Sequence, residues 1–233
     1  MIVNHKYKFI FLKTRKTAGT SIEIALSEFC DSSDIITPIA DKDEALREEA
    51  GYQGPCNYDV PLKKLSKTEL LQFFWNRYRK QFYNHVDAAY VRKYVGEKTW
   101  GSYFKFSFER NPFDKAVSRY YWSTEEPRPS ASEYLDSAPV ELLTDWPIYT
   151  INDQLAVDFL GRYENLKADM KFVAERLGLP GEINLLYAKG GYRPKRSHYR
   201  DVLDEQARAR IEVVCAKEIA ALKFQWEDGD IVL

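Results

Sequence analysis

The chain has 233 residues, which suits one α/β domain with a large core. Hydrophobic residues make up 45% and charged residues 30%, with a formal net charge of −1, so the chain reads as globular and lacks the basic excess of a general nucleic-acid binder. Any cationic site must be local and offset elsewhere, with Glu125-Glu126 and Glu227-Asp228-Gly229-Asp230 as the candidate offsets.

Cys30, Cys56 and Cys215 are odd in number, widely spaced and form no Cys-x-x-Cys pair, which argues against a disulfide framework or a zinc site. Cys30 and Cys215 fall in apolar helical patterns and read as core thiols. Met1 to Lys6 carries no signal-peptide apolar region, and no run approaches the ~18 apolar residues of a membrane span. The expectation is a soluble, reduced, cytoplasmic protein. Aromatic residues reach 15%. Most read as core, and some Tyr and Trp are candidates to line a sugar or planar-ligand site.

In chain order, Tyr7 to Leu12 reads as a buried parallel strand. It runs into Lys13-Thr14-Arg15-Lys16-Thr17-Ala18-Gly19-Thr20-Ser21 and then a helix to about Phe29 on Ile22, Ala25 and Leu26. Strand, basic hydroxyl-rich turn and helix together make an anion site, because free N–H groups and the helix dipole point at the turn. Lys13, Arg15 and Lys16 add charge; Thr17, Thr20 and Ser21 add hydroxyl donors. The spelling is not Walker-type, since Lys16 precedes Gly19 instead of following a Gly and preceding the hydroxyl that holds magnesium.

Cys30 to Pro61 is irregular, with a short helix expected at Lys42 to Glu49. Ser66-Lys67-Thr68-Glu69 is a capping box, followed by Leu70, Leu71, Phe74, Trp75 and Tyr78 at helical spacing. The pattern breaks at Tyr83-Asn84-His85-Val86, and Asp87 is the expected cap of a helix through Val91 and Tyr94, ended by Gly96. Arg77, Arg79, Lys80, Arg92 and Lys93 read as solvated helix faces more readily than as an acidic-ligand site.

Tyr103 to Phe108 alternates as a strand and enters a second basic turn, Glu109-Arg110, before Asn111, Pro112 and Asp114 open another helix on Ala116, Val117, Tyr120 and Tyr121. Thr124 to Pro147 is loop-rich, with short helices near Glu133 and Val140, and reads equally as a lid or as a passive connection. A strand within Leu155 to Arg162, a helix over Leu166 to Leu177, a basic stretch from Lys189 to Arg200 and a final helix capped by Asp204 and running through Leu222 complete the chain. No repeat or linker divides it.

Three segments stand together: Lys13 to Ser21, Arg110-Asn111-Pro112-Phe113-Asp114 through Ser118-Arg119-Tyr120, and Arg162-Tyr163-Glu164-Asn165-Leu166 through Leu177-Gly178-Leu179-Pro180. In this order the chain resembles the sulfotransferases that use 3'-phosphoadenosine 5'-phosphosulfate (PAPS). The likeness is greatest to the carbohydrate branch, with its heparan and dermatan/chondroitin uronyl 2-O-sulfotransferases and their bacterial relatives. The resemblance implies a single domain, 1–233, with a P-loop-like central parallel sheet flanked by helices.

It also implies roles. Lys16 would contact the oxygen bridging sulfate to the nucleotide, with Thr17, Ala18, Gly19, Thr20 and Ser21 on the phosphate and Lys13 and Arg15 adding charge. Arg110 and Ser118 would hold the 3'-phosphate, and Lys195, Arg196 and Ser197 would return to the nucleotide. His85 would be the base that takes the acceptor proton, leaving PAP (the desulfated donor) after transfer. The expected acceptor is a hydroxyl on a saccharide or glycoconjugate, and no metal is expected. Tyr83 stands where the nearest relatives carry a second histidine. A P-loop-type small-molecule kinase and a non-catalytic nucleotide-binding protein are the alternative readings.

Overall fold

Phe9-Ile10-Phe11-Leu12 is buried at every position, and its alternation divides the molecule into two sides. Ile10 and Leu12 face a core with Val91, Tyr94, Ile148 and Tyr149. Phe9 and Phe11 face a second core with Ile22, Leu26, Phe106, Phe108, Met170 and Val173. Side chains that alternate across a strand can fill two cores only if both faces are covered.

The computed structural model describes residues 1–181, 183–185 and 198–227. Strand β1 (Ile2–Asn4) precedes β2 (Phe9–Leu12), helix α1 (Gly19–Ser27), β3 (Ile35–Ile36) and α2 (Asp41–Glu49). Then come α3 (Lys67–Asn76), α4 (Ala88–Val95), α5 (Glu97–Ser102), β4 (Phe104–Glu109), α6 (Pro112–Ser123), α7 (Ala131–Ser137) and α8 (Trp146–Tyr149). A small hairpin of β5 (Thr150–Ile151) and β6 (Gln154–Leu155) leads to β7 (Phe159–Arg162), followed by α9 (Leu166–Leu177), α10 (Tyr199–Val202), α11 (Glu205–Val214) and α12 (Ala216–Leu222).

The main sheet has the order β3-β1-β2-β4-β7. Strands β2, β4 and β7 are parallel neighbours, as the buried apolar runs predict, while β1 pairs antiparallel with both β2 and β3. The sheet is therefore mixed, where the sequence reading expected a parallel one. The reason is the link between Asn4 and Phe9: a parallel crossover needs a dozen or more residues, and this one is a short turn.

Three of the four helix caps expected from the sequence make their side-chain bond. Ser66 and Glu69 form a reciprocal capping box, Asn111 accepts from the Phe113 N–H, and Asp204 accepts from the Ala207 N–H. Asp87 is a correction. It occupies the cap position of α4 without a side-chain cap bond, and burial pushes its carboxyl pKa up. The last helix is also two, breaking at Cys215. A third core joins α6 and α7 to α10 and α11 through Phe113, Val117, Leu135, Tyr199 and Ile211. Among the described residues no helix is long and apolar enough to cross a membrane.

Candidate functional site

Parallel pairing of β2 with β4 brings the two basic turns to the same edge of the sheet, at the carboxyl ends of the strands, where open α/β sheets hold their ligands. Ser107 on β4 donates to the Leu12 carbonyl on β2 at 2.7 Å, and the Thr14 hydroxyl donates to the Phe108 carbonyl. Thr14 and Thr17 share a hydroxyl contact of 2.8 Å. The first turn is tight: Lys16 (φ 60°) and Ala18 (φ 57°) both lie in the left-handed region. The cap residue of α1, Ala18, makes no side-chain cap bond, and a helix start is an environment that favours an anion. Gly19 is required by space, because a Cβ there would lie 2.8 Å from Lys13 Cγ and 3.1 Å from the Thr14 carbonyl.

The cations of this turn point to different places. The Lys13 ammonium turns into the core, 2.7 Å from Glu23 on α1 and 3.2 Å from Asn84 Oδ1. Glu23 is fully buried; burial works against its ionisation, but Lys13 and its other cationic neighbours hold its pKa down to about 2. Arg15 meets Asp145 twice, through its guanidinium at 2.5 Å and its backbone N–H at 2.8 Å. Lys16 is half-buried, with its ammonium 5.1 Å from the centre of the Trp122 ring. Thr17 and Thr20 are buried and Ser21 is half-buried.

In the second turn Arg110 bonds Asp114 through Nε at 2.6 Å and stacks 4.2 Å from the centre of the Tyr163 ring. Its Nη1 donates to the Lys16 carbonyl at 2.9 Å, so this one side chain spans both turns. Ser118 lies half-buried further along α6. Lys195, Arg196 and Ser197 lie outside the described residues.

His85 comes to the same place from a remote part of the chain. Its Nδ1 is 3.0 Å from the Lys13 carbonyl. A carbonyl only accepts, so Nδ1 carries the proton and Nε2 presents a lone pair. Burial, then the charge of Lys13, lowers the His85 pKa to about 4, against the opposing pull of Asp145. The ring is therefore neutral at pH 7 and in the tautomer a proton acceptor needs. Tyr83 is exposed, its ring edge-on to Tyr90 at 5.5 Å, and burial raises its hydroxyl pKa.

Sequence reasoning missed the group that ties these parts together. Lys115 on α6 lies 2.8 Å from both Glu109 and Asp145, with all three buried. Tyr149 donates to Glu109 at 3.1 Å, and Asp145 in turn holds Arg15. Burial raises the Glu109 pKa despite Lys115. At Asp145, burial is outweighed by Lys115 and Arg15, and its pKa is lowered. The available signal was a charged residue beside apolar ones: Glu109 follows Phe108 at the end of an alternating strand, and Lys115 adjoins Ala116 and Val117. The segment from Thr124 to Pro147, open between lid and connection, contributes Asp145 to the first turn.

No family model matches the chain, and no solved structure does. A protein of the archaeon Archaeoglobus fulgidus, described as an uncharacterized protein, is 38% identical over 106 residues; the match spans 43% of this chain and 88% of that protein.

Proposed function

We propose that this chain, which belongs to the same family as the Archaeoglobus fulgidus protein, is a PAPS-dependent sulfotransferase acting on an acceptor hydroxyl, expected on a carbohydrate. One observation carries the reading. Two strand–turn–helix ends lie side by side and are joined by Arg110, with a neutral His85 bonded to the backbone of the first. In this reading β2, β4 and β7 are the centre of a sulfotransferase fold, β1 and β3 extend it, and the protein works in the cytoplasm.

The chemistry assigned to the chain's own groups is limited. His85 Nε2 takes the proton of the acceptor hydroxyl, whose oxygen forms a bond to sulfur as the sulfur–oxygen bond to the nucleotide phosphate breaks. Lys16 and the first-turn amides of α1 face the negative charge that grows on the departing phosphate oxygen. Arg110, with Ser118 on the same helix unit, is assigned to the second phosphate, which must share the guanidinium with Asp114. Catalysis is then mostly positioning and charge stabilisation.

Transfer of labelled sulfate from PAPS to a panel of glycans tests the reading. Lys16→Ala is expected to lower the transfer rate about 10²–10³-fold, the effect of losing one preplaced donor. PAP binding by calorimetry with no transfer to any acceptor supports the non-catalytic alternative, and magnesium-dependent ATP turnover supports the kinase.

A further inference from the structure

We infer that α3 docks the protein on an anionic lipid surface. The helix is fixed at its start by the Ser66–Glu69 capping box, yet none of its residues is buried. Leu71, Phe74 and Trp75, with Tyr78 just beyond, are exposed to 69%, 68%, 93% and 62%. Within the helix, spacing of three and four places Leu71, Phe74 and Trp75 along one side. Of the eleven large apolar side chains exposed among the described residues, six lie between Leu62 and Tyr83. An apolar face turned outward at this density marks a contact surface.

Charge chooses the occupant. Residues 62–80 carry Lys63, Lys64, Lys67, Arg77, Arg79 and Lys80 against one carboxylate, in a chain whose net charge is −1. That carboxylate, Glu69, is already held by Lys93, Lys80 and Tyr94 and by the Ser66 N–H, and Arg79 is paired with Asp59 at 2.7 Å, so the patch is carried by Lys63, Lys64, Lys67 and Arg77. A second copy seated symmetrically on this face would set one basic patch against another. An acidic polysaccharide would match the cations and leave the apolar face in water. A bilayer surface satisfies both, with anionic headgroups on the Lys and Arg and the rings and Leu71 at the acyl boundary. Ten residues of helix, about 15 Å, lie on such a surface and do not span it. Tyr83, also exposed, lies two residues before His85 in the chain.

The inference is independent of the sulfuryl-transfer reading, because its test needs no turnover. The full chain is sedimented with phosphatidylcholine vesicles containing or lacking phosphatidylglycerol. It is expected to pellet with the anionic vesicles, less so as salt rises. Leu71→Ser with Trp75→Ser should weaken that binding at least about tenfold, from the apolar surface removed. Lys67→Glu with Arg77→Glu should weaken it on anionic vesicles and leave neutral ones unaffected. All four side chains are exposed, and unchanged melting temperatures check the fold. The inference is overturned if the wild type fails to pellet, or if the Ser variants pellet equally. It is also overturned by a dimer that Trp75→Ser dissociates with no vesicle binding, or by retention on an acidic polysaccharide alone.

Discussion

The turn after β2 and the turn after β4 make the same connection, from a parallel strand into a helix at one sheet edge, but they are held differently. The second has its helix start fixed by its own sequence, with Glu164 adding a hydrogen bond from the Asn111 N–H at 2.7 Å. Asn111 caps α6, Pro112 sets its first residue, and Arg110 pairs with Asp114 four residues on. The first has no cap of its own and two residues in the left-handed region. Beside the Thr14–Thr17 contact within it, it is held from distant parts of the chain: His85 holds the Lys13 carbonyl, Arg110 the Lys16 carbonyl, and Asp145 the amide and guanidinium of Arg15. A cap side chain takes up a helix-end donor, as Asn111 does at α6, whereas Ala18 at the start of α1 has no side chain that can do so.

The sharpest way to break this contrast is Asp145→Ala. It leaves Arg15 without its carboxylate and Lys115 with only Glu109, and removing one partner of a buried pair costs about 3–5 kcal/mol. Denaturant unfolding reads that loss. Amide exchange should quicken at Arg15 and stay slow at Phe113; equal loosening of the two turns would erase the distinction.

A smaller effect comes from acid. The ordinary pKa of the imidazole is 6.5, and in the folded chain it is about 4. Between these values the unfolded chain binds a proton at His85 that the folded chain does not, so stability falls as pH falls through this window. The loss reaches roughly 2–3 kcal/mol by pH 4, and a His85→Asn variant should lack this part of the acid slope. Equal slopes in the two proteins would show that the first turn does not depend on a neutral imidazole.

The smallest change is expected in the second turn. Asn111→Ala removes one cap and should cost about 1 kcal/mol by thermal unfolding, with Arg15 exchange unaffected.

The same contrast explains what could be read from the amino-acid order. The second turn was legible because cap, proline and acidic residue sit within four positions, and each acts on its own helix. The capping box at Ser66 and the helix ending at Gly178 were legible for the same reason. The basic character of the first turn was plain, but the direction of its cations was not. Lys13 turns inward because a carboxylate on the next helix, Glu23, is buried beside it. Asp145 reaches Arg15 across 130 positions, and no local pattern announces such a pair. Asp87 failed as a cap although its residue type and place were right. The antiparallel strands β1 and β3 are three and two residues long, too short for alternation to declare them.

Lys13 has a further consequence through its two ends. Its ammonium fastens it to α1 by Glu23, and its carbonyl fastens the imidazole of His85. Helix end and imidazole therefore share one anchor and have fewer independent ways to move. The entropy of aligning them is lost when the chain folds, not when a ligand arrives, and a molecule that binds there meets a pair already set in register.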